Sequence, residues 1–314
     1  MGSIRETRDR IASVQNTLKI TNAMYMISST KLNNAKRALA ATEPYFYSLQ
    51  SMLQRVVRHL PAECTHPYID DRTQKEETTR RRAIICVTAD KGLAGAYNHN
   101  IVKLTEEGLR LASDDMLFVV GEFGRHYFES RHIKIDGQFR YTAQKPTLSR
   151  ARQIGSYMLE LFGNHEVDEV YIIYTRMKNS VEYVAESMQL LPLVRLDSSI
   201  FQGMGGVQRE DFAMEPSPEV LLDNIIPDFV SGYIFSALVE SYASEHSARM
   251  QAMDAANKAG QQLVQELSIQ YNRQRQGQIT QEITEIAAGA KARARQQKKA
   301  KEAARKRLLE AQSQ

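Results

Sequence analysis

The first sixty residues carry a seven-residue hydrophobic repeat. Its large positions recur every seventh residue over five intervals, and the residue three places after each is mostly small. The large set is Ile4, Ile11, Leu18, Tyr25, Leu32 and Leu39, and the second set is Thr7, Val14, Thr21, Ser28, Ala35 and Thr42. Such spacing is typical of a left-handed coiled coil, and small seam residues let a partner helix approach closely. Residues 1–60 are predicted to form one coiled-coil helix, which Pro44 kinks rather than ends.

Residues 61–217 alternate between strand and helix patterns. Short apolar runs at 83–88, 116–120 and 169–174 predict buried strands, and amphipathic stretches between them predict helices. A further strand pair is predicted within 181–196, and the Gly- and Pro-containing stretch 198–218 is predicted to be a surface loop. Strands separated by helices indicate a parallel or mixed sheet that is covered on both faces.

The last part of the chain returns to helical spacing. Apolar and small residues step by three or four through 239–271, and the row slides on to Ile279, Ile283 and Ile286. A helix over 218–289 would be on the order of 100 Å long, so part of it must project from a compact domain. The N-terminal helix is its natural partner. The sequence therefore predicts an α/β protein with a long antiparallel coiled coil, in which the N- and C-terminal helices pair.

Charge is concentrated at the C-terminus. The net charge is +4, but residues 290–314 contain nine Lys or Arg against Glu302 and Glu310, which is +7 and leaves −3 for the remainder. This basic tail keeps one alternative open, a coiled-coil nucleic-acid binder whose affinity would fall steeply with salt. No apolar run approaches the roughly 20 residues of a membrane span, and the first residues are polar and charged, so a cytosolic chain is expected.

Little in the sequence points to catalysis. Cys64 and Cys86 have no CxxC spacing, which argues against a zinc or redox motif. The segment 90–97, DKGLAGAY, follows a strand and opens a helix as phosphate loops do, but it fits neither GxGxxG nor GxxxxGK[ST]. A tight turn is the favoured interpretation, and an enzyme that binds nucleotide there is the alternative. His246 is expected on a helix face. No catalytic residue, metal or cofactor is predicted.

Both ends of the chain resemble gamma subunits of bacterial F-type ATP synthases. The stretch RIASVQNTLKITNAM at 10–24 is similar to the opening helix of that family. ITQEITEI at 279–286, followed by Gly289 and Ala290, is similar to its C-terminal signature position for position. ASEHSARM at 243–250 and the DKGL turn at 90–93 also fit. The resemblance covers nearly all of residues 1–290 in the right order.

The resemblance implies a central rotor shaft that couples ion flow through the membrane rotor ring to ATP synthesis or hydrolysis by rotation. It implies an antiparallel coiled coil threaded through a hexamer of alpha and beta subunits, one copy per complex, with no catalytic site of its own. The middle domain would be Rossmann-like without nucleotide, and would form the foot on the c-subunit ring together with the epsilon subunit. The protein would be held peripherally at the cytoplasmic face of the bacterial plasma membrane as part of a proton-translocating synthase, although the choice between protons and sodium ions lies in another subunit.

The same resemblance implies site residues. Contacts with beta subunits are expected at Met24, Arg249, Gln276, Thr280 and Glu282, and Glu215 matches a position near the rotor ring. Exposed ion pairs of about 0.2–1 kcal/mol and hydrogen bonds of about 0.5–1.5 kcal/mol are weak enough to exchange as a shaft turns. The four polar residues on the last helix are expected to supply that chemistry.

Two features bear on the source and on the C-terminus. The chain continues for 24 residues after Ala290, whereas family members commonly end soon after the Gly-Ala pair. The extension 290–314 would either lengthen the helix or fray, and a solvated tail is the expectation. The regulatory cysteine pair of chloroplast relatives and a transit peptide are both missing, which favours a bacterial source.

Overall fold

The structure, a computed structural model, describes residues 4–60, 64, 66–69, 80–109, 114–179, 182–193, 214–215 and 217–312. Five helices and four strands follow one another in these residues: α1 (Ile4–Arg58), β1 (Arg82–Val87), α2 (Tyr97–Leu109), β2 (Met116–Val120), α3 (Glu122–Ser130), α4 (Leu148–Gly163), β3 (Glu169–Met177), β4 (Tyr183–Leu191) and α5 (Pro218–Gln312). Most of residues 61–79 and of the predicted loop at 198–218 lies outside the described residues. Over the described part of the chain, no helix is long and apolar enough to cross a membrane.

The heptad positions of α1 form the covered side of that helix. All twelve predicted seam residues are buried or half-buried, while most positions between them are exposed. Thr7, Ser28, Leu32 and Ala35 are exposed by 5% or less, so the small seam positions are covered as well as the large ones. Pro44 lies inside α1 and the helix continues to Arg58. The predicted coiled-coil helix is therefore present, and Pro44 does not end it.

Residues 1–22 and 255–314 form one compact unit, in which the start of α1 runs antiparallel to the later part of α5. The Thr7 hydroxyl donates to the Gln274 side-chain oxygen at 3.1 Å, and Thr21 donates to the Asn257 side-chain oxygen. Between these contacts Leu18 lies against Gly260, where an added Cβ would fall 2.6 Å from Leu18 Cδ2. A small residue on α5 thus faces a large residue on α1, as close helix packing requires.

Beyond this pairing, α5 continues without a partner helix among the described residues. Ile279, Ile283 and Ile286 are 48%, 61% and 72% exposed. The prediction that the paired row extends to these isoleucines is wrong, because the register that joins Thr7 to Gln274 leaves no residue of α1 opposite them. The helix nevertheless runs on to Gln312, with exposed residues throughout 291–300. The C-terminal extension is helical rather than frayed.

Residues 23–254 form the second compact unit, which contains a mixed four-stranded sheet. Its strand order is β2-β1-β3-β4, with β1 parallel to both β2 and β3, and β4 antiparallel to β3. The prediction of a strand pair within 181–196 is corrected by the structure: the described residues there form a single strand, β4. Its partner is the preceding strand β3, onto which it folds back.

Helices cover both faces of the sheet, as predicted. Ala83, Ile85 and Val87 of β1 join a core with residues of α4, of the second half of α1 and of the first part of α5. The alternate residues Ile84 and Cys86 join a second core with α2 and α3. Because both faces are covered, β1 reads as a continuous apolar run rather than an alternating one.

The contact between Leu18 and Gly260 predicts an asymmetry between neighbouring positions on α5. Gly260→Leu should lower the free energy of unfolding by about 1–3 kcal/mol, because the added side chain overpacks the seam. The control Ala259→Leu, one residue away at an exposed position, should change it by no more than about 0.5 kcal/mol. Chemical denaturation of the full chain measures both. If Gly260→Leu stabilised the chain, as replacement of a glycine in an unpacked helix would, the proposed close packing of Gly260 against Leu18 would be contradicted.

Candidate functional site

The predicted contact residues fall in two different environments. Gln276, Thr280 and Glu282 are exposed on α5 in the unit formed by the chain ends. In the other unit, Met24 is half-buried on α1, Glu215 is exposed just before α5, and Arg249 is buried. The structure therefore does not gather the predicted residues into one site, and each environment has its own chemistry.

Among the described residues, the side-chain hydrogen bonds of Thr280 and Glu282 stay within α5. The Thr280 hydroxyl donates to the backbone oxygen of Gln276 at 2.8 Å, and the Glu282 carboxylate accepts from the Gln278 side chain at 3.1 Å. At about 100° per residue, Gln276 and Thr280 share a face, whereas Glu282 points about 140° away from the midpoint of that face. These polar groups therefore look outward in different directions around the helix.

Arg249 is held inside the sheet-containing unit and is only 6% exposed. Its Nη1 lies 2.6 Å from a carboxylate oxygen of Glu245, one turn earlier on α5. Its Nη2 donates to the backbone oxygens of Lys91 and Gly92 at 3.1 and 3.2 Å, and Nε donates to the Gly92 oxygen at 3.3 Å. The expected chemistry of an exposed, exchangeable ion pair does not describe this side chain.

His246 lies beside this pair and is also buried, at 3% exposure. Its ring meets the Tyr242 ring edge-on at 4.5 Å, and its Nδ1 lies 3.2 Å from Arg249 Nη1, which can only donate. Burial lowers the pKa of His246 from 6.5 to about 3, and the positive charges of Arg249 and Lys31 add to that shift. The imidazole is therefore neutral at physiological pH.

Glu245 is buried as deeply as its partner. Burial raises the pKa of its carboxyl above the ordinary value, and Arg249 opposes that rise by its charge and its hydrogen bond. A buried carboxylate needs such a partner, because removing one member of a buried pair leaves an uncompensated charge. The i,i+4 spacing of Glu245 and Arg249 is visible in the sequence, but only the fold shows that the pair is enclosed.

Segment 90–97 forms the turn between β1 and α2 and uses its polar groups within the chain. The Asp90 carboxylate accepts from the Thr142 hydroxyl and from the backbone N–H groups of Ala143, Gln144 and Glu122. Glu122 begins α3, so this carboxylate meets a helix N-terminus, where a phosphate would bind in a nucleotide site. Among the described residues, no three His, Cys, Asp or Glu lie close enough to hold a metal ion.

These features define a class of protein: a shaft of two antiparallel terminal helices joined to a Rossmann-like sheet domain. The family model described as ATP synthase matches residues 3–292. The ATP synthase gamma chain of Caldanaerobacter subterraneus subsp. tengcongensis is 38% identical over 296 residues, which cover 91% of this chain and 98% of the relative. The sodium-ion-specific gamma chain of Acetobacterium woodii is 35% identical, over 92% and 98% of the two chains. The chain belongs to the ATP synthase gamma chain family.

Solved structures agree with this family. A chain from the central stalk and c-ring of the Tetrahymena thermophila mitochondrial ATP synthase matches 76% of this chain and 99% of its own length, with 25% identity and a TM-score of 0.55. A chain from the rotor of the Euglena gracilis mitochondrial ATP synthase matches 88% and 98%, with 18% identity and a TM-score of 0.62. The latter supports the fold alone. The predicted fold class is confirmed, and so is the role of a rotary shaft subunit of ATP synthase.

The buried imidazole predicts a pH dependence of stability. Because the folded pKa of His246 lies near 3 and the ordinary value is 6.5, its contribution is complete above pH 6.5 and is lost as pH falls toward 3 and the unfolded chain takes up a proton. Between pH 6.5 and about pH 5 the loss should be about 1.5–2 kcal/mol. The variant His246→Gln should lack this part of the acid sensitivity, as measured by denaturation at both pH values.

The matched control for this prediction is His126→Gln, because the His126 side chain is 77% exposed. This variant should keep the acid sensitivity of the unaltered chain. Equal acid sensitivity in His246→Gln and in the unaltered chain would show that His246 is not held neutral by the fold.

Proposed function

We propose that this shaft turns inside a hexamer of alpha and beta subunits, and that the exposed part of α5 meets the beta subunits through Gln276, Thr280 and Glu282. The observation that carries the proposal is the outward display of these side chains beyond the pairing with α1. Thr280 and Glu282 keep no partner outside their own helix among the described residues. They are therefore available to form weak bonds with another chain.

The different directions of these side chains suit a shaft that is surrounded by its partners. Gln276 and Thr280 address one side of α5 and Glu282 addresses another, so the three would contact different subunits of a ring at any moment. Contacts worth about 0.5–1.5 kcal/mol each can break and re-form as the shaft rotates. The exposed Ile279, Ile283 and Ile286 add an apolar surface with no directional bonds to resist turning.

Met24 and Arg249 are less direct candidates for beta-subunit contact. Met24 is half-buried on α1, so part of the residue is exposed. Arg249 donates to two backbone carbonyls and pairs with Glu245 inside its own unit, so a beta subunit would reach it only at its exposed fringe. Contact through Arg249 is proposed as secondary to its internal bonds.

We place the foot on the membrane rotor ring of c subunits near Glu215, which is exposed immediately before α5, with the epsilon subunit beside it. One copy per complex would stand at the cytoplasmic face of a bacterial plasma membrane, within a synthase driven by protons. A relative at 35% identity is named a sodium-ion-specific gamma chain; we assign the choice of ion to the partner ring rather than to this chain. The chain would transmit rotation and carry no catalytic residues.

The sharpest test of the beta-subunit contact is Glu282→Ala in the assembled complex. Removing the carboxylate should lower the rate of ion-driven ATP synthesis about 2- to 10-fold, which corresponds to one lost hydrogen bond or ion pair. The complex should still assemble, because among the described residues the Glu282 carboxylate bonds only to Gln278 on its own helix. Synthesis by membrane vesicles and the subunit content of the purified complex measure the two effects.

Glu266→Ala is the matched control, since Glu266 is also exposed on α5 and carries the same charge sixteen residues earlier. It should leave synthesis unchanged. Equal rates for Glu282→Ala and the unaltered complex would remove Glu282 from the contact.

A further inference from the structure

In Rossmann-like domains, ligands bind in the crevice at the carboxyl ends of the parallel strands, where the strand order switches direction. Here that point lies between β1 and β3, because β1 has β2 on one side and β3 on the other. The crevice is bordered by the segment 90–97 after β1 and by the end of β3. The described residues of the same unit show what fills it.

The first part of α5 supplies the groups that occupy this crevice. The ladder between β1 and β3 ends at Cys86 and Ile173, so the backbone of Thr175, beyond it, has no strand partner on the β1 side. The Ser241 hydroxyl accepts from the Thr175 N–H at 3.1 Å, and the Ser244 hydroxyl donates to the Thr175 oxygen at 3.2 Å. Two serines of α5 thus satisfy strand groups that would otherwise be buried without bonds.

The next turns of α5 close the other side of the crevice. Ala248 packs into a cluster with Ala89, Ala94 and Tyr97, all of which are exposed by 2% or less. The next residue, Arg249, binds the backbone oxygens of Lys91 and Gly92 in the same segment. Ser241, Ser244 and Ala248 therefore share one face of the helix and Arg249 lies beside that face, so that α5 makes contacts from β3 to the turn after β1.

We infer that the ligand crevice of this domain serves as a socket for α5, in which the Arg249 guanidinium takes the place of a ligand and latches segment 90–97 to the helix. Arg249 is thereby a positioning residue. A planar guanidinium suits this role because it reaches two carbonyl oxygens and one carboxylate at once, whereas an ammonium group is a point donor. This inference rests on the proposed rotation of the shaft: the contacts of Arg249 with segment 90–97 transmit torque between the sheet domain and α5.

The socket predicts chemical rescue. Arg249→Ala removes the guanidinium and leaves the Glu245 carboxylate buried without its partner, so the thermal midpoint of the full chain should fall by about 5–15 °C. Millimolar methylguanidinium should raise the midpoint of this variant, because it fits the vacated space and restores the bonds. Methylammonium and urea at the same concentration should not.

The control is Arg176→Ala, which removes a guanidinium from a more exposed pair with Glu186. Its midpoint should not respond to methylguanidinium. An equal response of both variants, or an Arg249→Ala variant as stable as the unaltered chain, would overturn the inference. Calorimetry that detected ATP binding at the crevice of the unaltered chain would also overturn the inference, since α5 fills that space.

Arg249→Lys covers the case in which Arg249→Ala does not fold. This substitution keeps the positive charge but loses the planar guanidinium with its several donors. Backbone amides of residues 91–96 should then exchange hydrogen at least about tenfold faster than in the unaltered chain, which corresponds to about 1.4 kcal/mol. Unchanged exchange would overturn the latch. Because these measurements use the chain without its partners, their failure leaves the Glu282 test standing, and normal synthesis with Glu282→Ala leaves the socket standing.

Discussion

The close approach of two helices from opposite ends of the chain is the constraint on which the rest of the structure depends. Leu18 of α1 packs where Gly260 of α5 has no side chain, and Thr7 and Thr21 bond to α5 on either side of that contact. Sequence-distant segments fix each other in one register in this way. A shaft needs such internal contacts to be specific and lasting, since they hold while contacts with surrounding chains change.

Along its length, α5 is used for two opposite purposes. In the sheet-containing unit its serines, Ala248 and Arg249 are buried and bonded to β3 and to the turn after β1. In the other unit its residues from Ile279 to position 300 are exposed. The first arrangement resists movement, and the second leaves polar and apolar groups exposed, as the proposed contacts with partner chains require. Past residue 292, where the match to the family model ends, α5 continues as a helix to Gln312.

Much of the fold could be predicted because its signals are local. The heptad positions of α1, the apolar runs of β1, β2 and β3, and the continuation of the helix through Pro44 all follow from spacing within short windows. The strand β4 was harder to predict, because its place beside β3 depends on pairing between strands rather than on the pattern of its own residues. The exposure of Ile283 also escaped prediction, because it depends on the register in which α1 meets α5.

The candidate site was harder to predict for a physical reason. Arg249 looks like an exposed helix residue until the fold brings Gly92, 157 positions away in the chain, against it. The sequence around Ser241 and Ser244 has no pattern that predicts their hydrogen bonds to the backbone of β3. Gln276, Thr280 and Glu282 could be proposed only from the family resemblance, because their predicted partners belong to other chains.

The most direct test of the shaft is a disulfide between α1 and α5. In a chain with Cys64 and Cys86 replaced by alanine, cysteines at Leu18 and Gly260 should form an intramolecular disulfide readily, because a Cβ at position 260 lies within 3.1 Å of Leu18 Cγ and disulfides need Cβ atoms about 3.5–4.5 Å apart. Cysteines at Leu18 and Leu267, one heptad further along α5, should not. Equal or faster oxidation of the second pair would contradict the register in which the two helices meet.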